Sequence, residues 1–132
     1  MFRTLLVAAI CALISAATLA ATSVAPSPVV SHDVGSTIGT GGSTFQLLFA
    51  QLSANNPRMG CLVQNNGSHT MYVYVGAQGN ATQAKSYQLV PPGSGVQGGS
   101  FSCAGADSVV QDEINITGTS GESFAAQYTT LH

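Results

Sequence analysis

A chain of 132 residues and 13.4 kDa offers one domain, and only 6% of it is charged: three Lys+Arg against five Asp+Glu, a net charge of −2. A typical soluble domain carries roughly 25% charged residues, and a phosphate-binding face needs clustered cations, so electrostatic capture of nucleic acid is excluded. Charge-driven disorder is excluded too, because 45% of the residues are apolar.

The first element is apolar. Arg3 and the α-amino group precede an uncharged run from Thr4 to Ala21, greasiest over Leu5–Ile14, and small residues take over at Ser15–Ala20. A basic start, a short apolar centre and small residues before a polar region describe a secretory signal peptide, with cleavage expected after Ala20. The same run, as a helix, reaches about 27 Å, just the hydrocarbon thickness of a bilayer. Residues 1–21 are therefore expected to form a hydrophobic helix that is either a signal peptide or a membrane anchor touching lipid through residues 4–21.

Residues 22–42 are rich in Ser, Thr, Gly and Pro and hold no sustained period. They read as a flexible linker, within which Val29-Val30 or Thr37-Ile38 can add an edge strand. Ser31-His32-Asp33 contains the residue types of a catalytic triad, but as immediate neighbours, where a triad needs convergence in space on a rigid scaffold.

Residues 43–132 read as an all-β domain. Met71, Val73 and Val75 alternate with Tyr72 and Tyr74; Ile114 and Ile116 with Glu113, Asn115 and Thr117; Phe124, Ala126 and Tyr128 with Ala125, Gln127 and Thr129. Such strict alternation marks strands with one buried face. Further strands are expected at 44–49, 60–65, 86–90 and 100–103, separated by Asn-, Gly- and Pro-rich turns. Phe45–Ser53 also carries a helical stripe, although its β-compatible residues favour a strand. Asn66-Gly67 between two alternating runs predicts a hairpin over 61–75, because both residues accept the positive φ of a primed turn. About seven short strands with regular turns fit a single β-sandwich or a jelly-roll-like domain.

Cys11 lies in the apolar segment, which leaves Cys61 and Cys103 for the domain. Outside the cytosol two thiols pair where geometry permits, here across two sheets; the alternative is two separately buried small hydrophobes. His32, His69 and His132 lack ligand spacing to each other or to Cys, so no metal is expected. The Gly-rich stretches lack the Lys-Ser/Thr of a phosphate loop, so no cofactor is expected either. No nucleophile–base pair is recognisable, and the chain reads as a non-enzyme.

The run Gln46-Leu47-Leu48, Asn55-Asn56-Pro57-Arg58-Met59-Gly60-Cys61-Leu62-Val63-Gln64-Asn65, then Met71-Tyr72-Val73-Tyr74-Val75-Gly76, resembles small β-rich bacteriophage virion proteins of the head-decoration or accessory kind. Leu89-Val90-Pro91-Pro92-Gly93 with Ser100-Phe101, Ile114-Asn115-Ile116-Thr117-Gly118 and Phe124-Ala125-Ala126 continue the pattern, in order, over residues 44–128. The inserted loop at 93–99, Cys61 in place of Leu or Ile, and the apolar leader depart from it. The resemblance implies a non-enzymatic structural protein of the virion, capsid-associated or held in an internal membrane. It would pack against capsid proteins and copies of itself, with Arg58, Tyr72 and Tyr74 as candidate interaction residues; Arg58 is read first as bonding strand-end carbonyls or Asp107, Asp112 or Glu113, and pairing with an acidic group on a partner is the alternative. The alternative is a secreted or periplasmic bacterial β-sandwich that binds a glycan or a protein, with Tyr72/Tyr74 or Tyr87/Tyr128 as a stacking surface.

Overall fold

The computed structural model describes residues 29–35, 37–53, 55–93, 98–103 and 111–131. The expected leader helix, Cys11 and His132 lie outside them. Among the described residues no helix is long and apolar enough to cross a membrane.

Eight strands follow in order: β1 Val29–Asp33, β2 Gln46–Phe49, β3 Arg58–Asn65, β4 Met71–Val75, β5 Tyr87–Leu89, β6 Ser100–Ser102, β7 Ile114–Thr117 and β8 Phe124–Leu131. Two short 3-10 turns, Gln78–Asn80 and Gln83–Lys85, lie between β4 and β5. The strands form two antiparallel four-stranded sheets, ordered β1-β8-β3-β6 and β2-β7-β4-β5. Four of the six pairings, β1 with β8, β2 with β7, β3 with β6 and β4 with β5, join strands whose numbers sum to nine. The chain is thus laid out like one long hairpin bent near residues 76–86 and wound up. The two remaining pairings, β3 with β8 and β4 with β7, are made by the winding.

Alternation explains the core. Met71 and Val73 of β4, Ile114 and Ile116 of β7, Val63 of β3 and Phe124 and Ala126 of β8 turn inward and meet Phe49, Leu89 and Ile38. Each such side chain stabilises the fold by about 1.5–3 kcal/mol on burial. Cys61 and Cys103 are bonded, confirming the expected disulfide, with Cα atoms 5.0 Å apart. The bridge does not cross between sheets as expected. It joins β3 to the residue after β6, its neighbour in the same sheet, where Cys103 N–H also donates to Cys61 O at 3.1 Å.

One other expectation is corrected. The hairpin over 61–75 does not form, because β3 and β4 belong to different sheets. Residues 66–70 carry the chain across the sandwich instead. Gly67 has no positive φ; its N–H donates to Asn65 Oδ1 at 2.9 Å in an Asx turn, and the buried Asn65 amide donates to His69 O at 2.8 Å and Leu89 O at 2.9 Å. The local Asn-Gly signal yields to an asparagine that ties both sheets together. Within the expected linker, the edge strand offered by Val29-Val30 forms and Thr37-Ile38 joins the fold. Val29–Asp33 pair with β8 in unbroken register, Thr37 bridges to Ser123, and Ile38 is 1% exposed. Phe45–Ser53 contributes the strand β2 and no helix.

Candidate interaction surface

The two sheets differ in what covers their outer faces. Tyr72 and Tyr74 project from β4 away from the core, beside Thr117 and Asn115 of β7, and both are half-buried. Residues 42–45 and 76–86 lie over this face. Thr117 Oγ1 donates to Thr44 O at 2.7 Å and Gly42 O at 3.0 Å, and Asn115 Nδ2 to Gly76 O at 2.8 Å. Gln83 Nε2 donates to Gly42 O at 3.1 Å and Gln78 Nε2 to Phe45 O, while Phe45 meets Tyr74 edge-on with ring centroids 6.3 Å apart. Strand β7 is accordingly buried on both sides.

The outer face of the β1-β8-β3-β6 sheet has no such cover among the described residues. Cross-strand register sets out its rows: Val29 with Leu131; Ser31, Thr129 and Gly60; Asp33, Gln127, Leu62 and Ser102; Ala125, Gln64 and Ser100. These positions alternate with buried ones and are exposed or half-buried. Asp33 is the one charge on them. Apart from Asp33 the surface is uncharged, a pleated mixture of Val, Leu, Ser, Thr, Gln, Ala and Gly.

Arg58, a candidate for pairing with a partner but read first as a residue that bonds strand-end carbonyls, is placed inside and does the latter. Its exposure is 0%. The guanidinium lies between the rings of Phe49, 5.2 Å away, and Tyr128, 5.3 Å away, and donates to Ala50 O at 2.8 Å and Asp112 O at 3.2 Å. Desolvation lowers its pKa from the usual guanidinium value, and the Coulomb interaction with Tyr128 opposes this; Arg keeps its charge in either case. Its partners are carbonyls at the ends of the other sheet's strands, so the side chain fastens one sheet to the other. Tyr128 also stacks on His32, centroids 4.6 Å apart, inside the sandwich. Tyr87 of β5 stands instead against Phe101 of β6, with centroids 4.9 Å apart. The Tyr87/Tyr128 pair is therefore not one surface.

The remaining polar constellations do not assemble chemistry. Strand alternation sends His32 inward, its Nε2 3.3 Å from Thr130 Oγ1, and Ser31 and Asp33 outward. Ser68, His69 and Glu122 do meet, a cluster with no local signal in the sequence, since Glu122 lies 54 residues beyond Ser68. Ser68 Oγ donates to Glu122 Oε1 at 2.7 Å, Ser68 N–H to Oε2 at 2.5 Å, and His69 Nδ1 lies 2.6 Å from Oε1. A relay needs hydroxyl and carboxylate on opposite ring nitrogens. Here both sit on Nδ1, with Ser68 Oγ at 3.0 Å, and the hydroxyl proton goes to the carboxylate. The cluster pins the crossover loop to the turn before β8. Among the described residues no three His, Cys, Asp or Glu gather as a metal site. No protein-family model, curated protein or solved structure matches the chain.

Proposed function

We propose that this chain is a non-enzymatic structural protein of a virion, built as an eight-stranded jelly roll and acting by packing against capsid neighbours. The observation that carries the reading is the pairing of strands whose numbers sum to nine. That layout is what a rolled-up hairpin of eight strands produces, and jelly rolls of this kind serve in viral capsid and lectin domains. Architecture alone is shared by many activities. The resemblance over residues 44–128 and the sheet face on which Asp33 is the one charge support the virion reading over the others.

The mechanism is mechanical. Mostly uncharged side chains meet a neighbour with few charges to desolvate, and a chain with 6% charged residues keeps little self-repulsion to oppose association. The apolar stretch at 4–21 would hold the domain at an internal membrane. The protein is expected in purified particles, leaving with the membrane fraction on detergent treatment. Recovery only as a soluble product outside particles, starting at Ala21, would overturn this reading in favour of a secreted binding module.

A further inference from the structure

A sandwich of two open sheets has four edges, each a row of backbone groups that can template pairing with another chain. Three are closed off here. Strands β5 and β6 are three residues each and lean on one another: Gly99 N–H donates to Val90 O at 2.9 Å, and Tyr87 packs on Phe101. Strand β2 is broken by a register shift between Leu47 and Phe49, and the Gln46 side chain binds the 37–39 strap, accepting from Gly39 N–H at 2.7 Å. Strand β1 has none of these devices. Its five residues pair with β8 without a shift, contain no Pro or Lys, and make no backbone hydrogen bond other than to β8 among the described residues.

We propose that β1 is the docking edge for a second copy of this chain, paired antiparallel across a two-fold axis at Ser31. The inference rests on the packing reading above and names the partner. The strand is self-complementary in this register. Ser31 faces its own copy, Val30 faces His32, and Val29 faces Asp33. The one charge of the edge therefore meets a valine that is 61% exposed in the single chain and not its own like charge. A two-fold contact requires this kind of self-match. The pairing would join the outer faces of two β1-β8-β3-β6 sheets into one continuous surface of eight strands. Five residues of edge bury well under the roughly 1,200 Å² of a stable interface, so the contact is transient in solution and holds through repetition in an assembly.

Opposed residues of an antiparallel pair have Cα atoms about 4.5–5.5 Å apart, inside the roughly 4.4–6.8 Å that a disulfide spans. The test is mild oxidation of the full-length Ser31→Cys chain in a Cys11→Ser background. We expect a covalent dimer mapped to position 31, and none from Ser100→Cys, which lies on the opposite edge of the same sheet. In parallel, Ser31→Lys sets two ammonium groups face to face and should weaken self-association several-fold in sedimentation, with an unchanged melting curve. No crosslink at 31, equal crosslinking at 100, or an indifferent Ser31→Lys overturns the proposal. A chain that crosslinks at 31 yet is absent from particles would refute the virion reading and leave the edge standing. A chain present in particles that does not crosslink would do the reverse.

Discussion

Arg58 shows how far one side chain's role lies from its sequence neighbourhood. It follows Pro57 at the start of a strand, which says nothing of burial; its fate is set by Ala50, Asp112, Phe49 and Tyr128, which only the folded chain assembles. Replacing it with Ala leaves two carbonyls without a donor and a void between two rings, and should cost about 3–5 kcal/mol, read as a lower urea midpoint. Arg58→Lys keeps the charge but lacks the planar fork that reaches both carbonyls, so a smaller loss is expected. Glu122 makes a pH-dependent prediction. The hydrogen bond with His69, then those from the Ser68 side chain and backbone, hold its carboxyl down at about 2 from the usual 4.5. A carboxyl whose folded pKa is depressed contributes stability that is complete above the unfolded value and lost as pH falls through the folded one. The pin on residues 66–70 should therefore weaken from about pH 4.5 down to about pH 2, and the Ser68 amide should exchange faster over that range. Glu122→Gln should remove the pH dependence.

At the scale of single elements, strands were legible wherever alternation ran for several residues, because one face had to be buried. Met71–Val75, Ile114–Thr117 and Phe124–Leu131 form where the pattern places them. The connections were less legible. Asn66-Gly67 reads locally as a tight hairpin, yet Asn65 spends its amide on the far sheet, and Glu122 occupies the space a Cβ on Gly67 would need. Glycine serves there for close approach and not for left-handed backbone. Strand β1 was legible only as an edge-strand alternative at Val29-Val30: its composition is that of a linker, and the strand it joins comes nearly a hundred residues later (98 between His32 and Thr130). The disulfide acts on the shortest strand of its sheet. Loop entropy over a separation of 42 residues is worth about 4 kcal/mol. Cys103→Ser should lower the unfolding free energy by roughly 2–4 kcal/mol and should raise amide exchange first in β6, whose three residues have little else to hold their end.

For the molecule as a whole, the alternating strands and regular turns pointed to a β-sandwich, while the arrangement of its two sheets needed the winding order that no local pattern encodes. The asymmetry of the two outer faces was also beyond reach: Thr117 and Asn115 look like solvent-facing residues of an alternating strand until residues 42–45 and 76–86 fold over them. The winding order has a kinetic corollary. Loop-closure entropy rises with the span to be closed, and rates fall as contacts become non-local. Pairing should therefore begin at β4 with β5, the closest partners, and proceed outward through β3 with β6 and β2 with β7 to β1 with β8. Pulse-labelled amide exchange during refolding should protect Val73 before Ser31; simultaneous or reversed protection would refute that sequence of events. Because β1 precedes its partner β8 by nearly a hundred residues, it has no home until β8 has left the ribosomal exit tunnel, so its sheet closes late in synthesis. A chaperone acting on it would have most to do for β1.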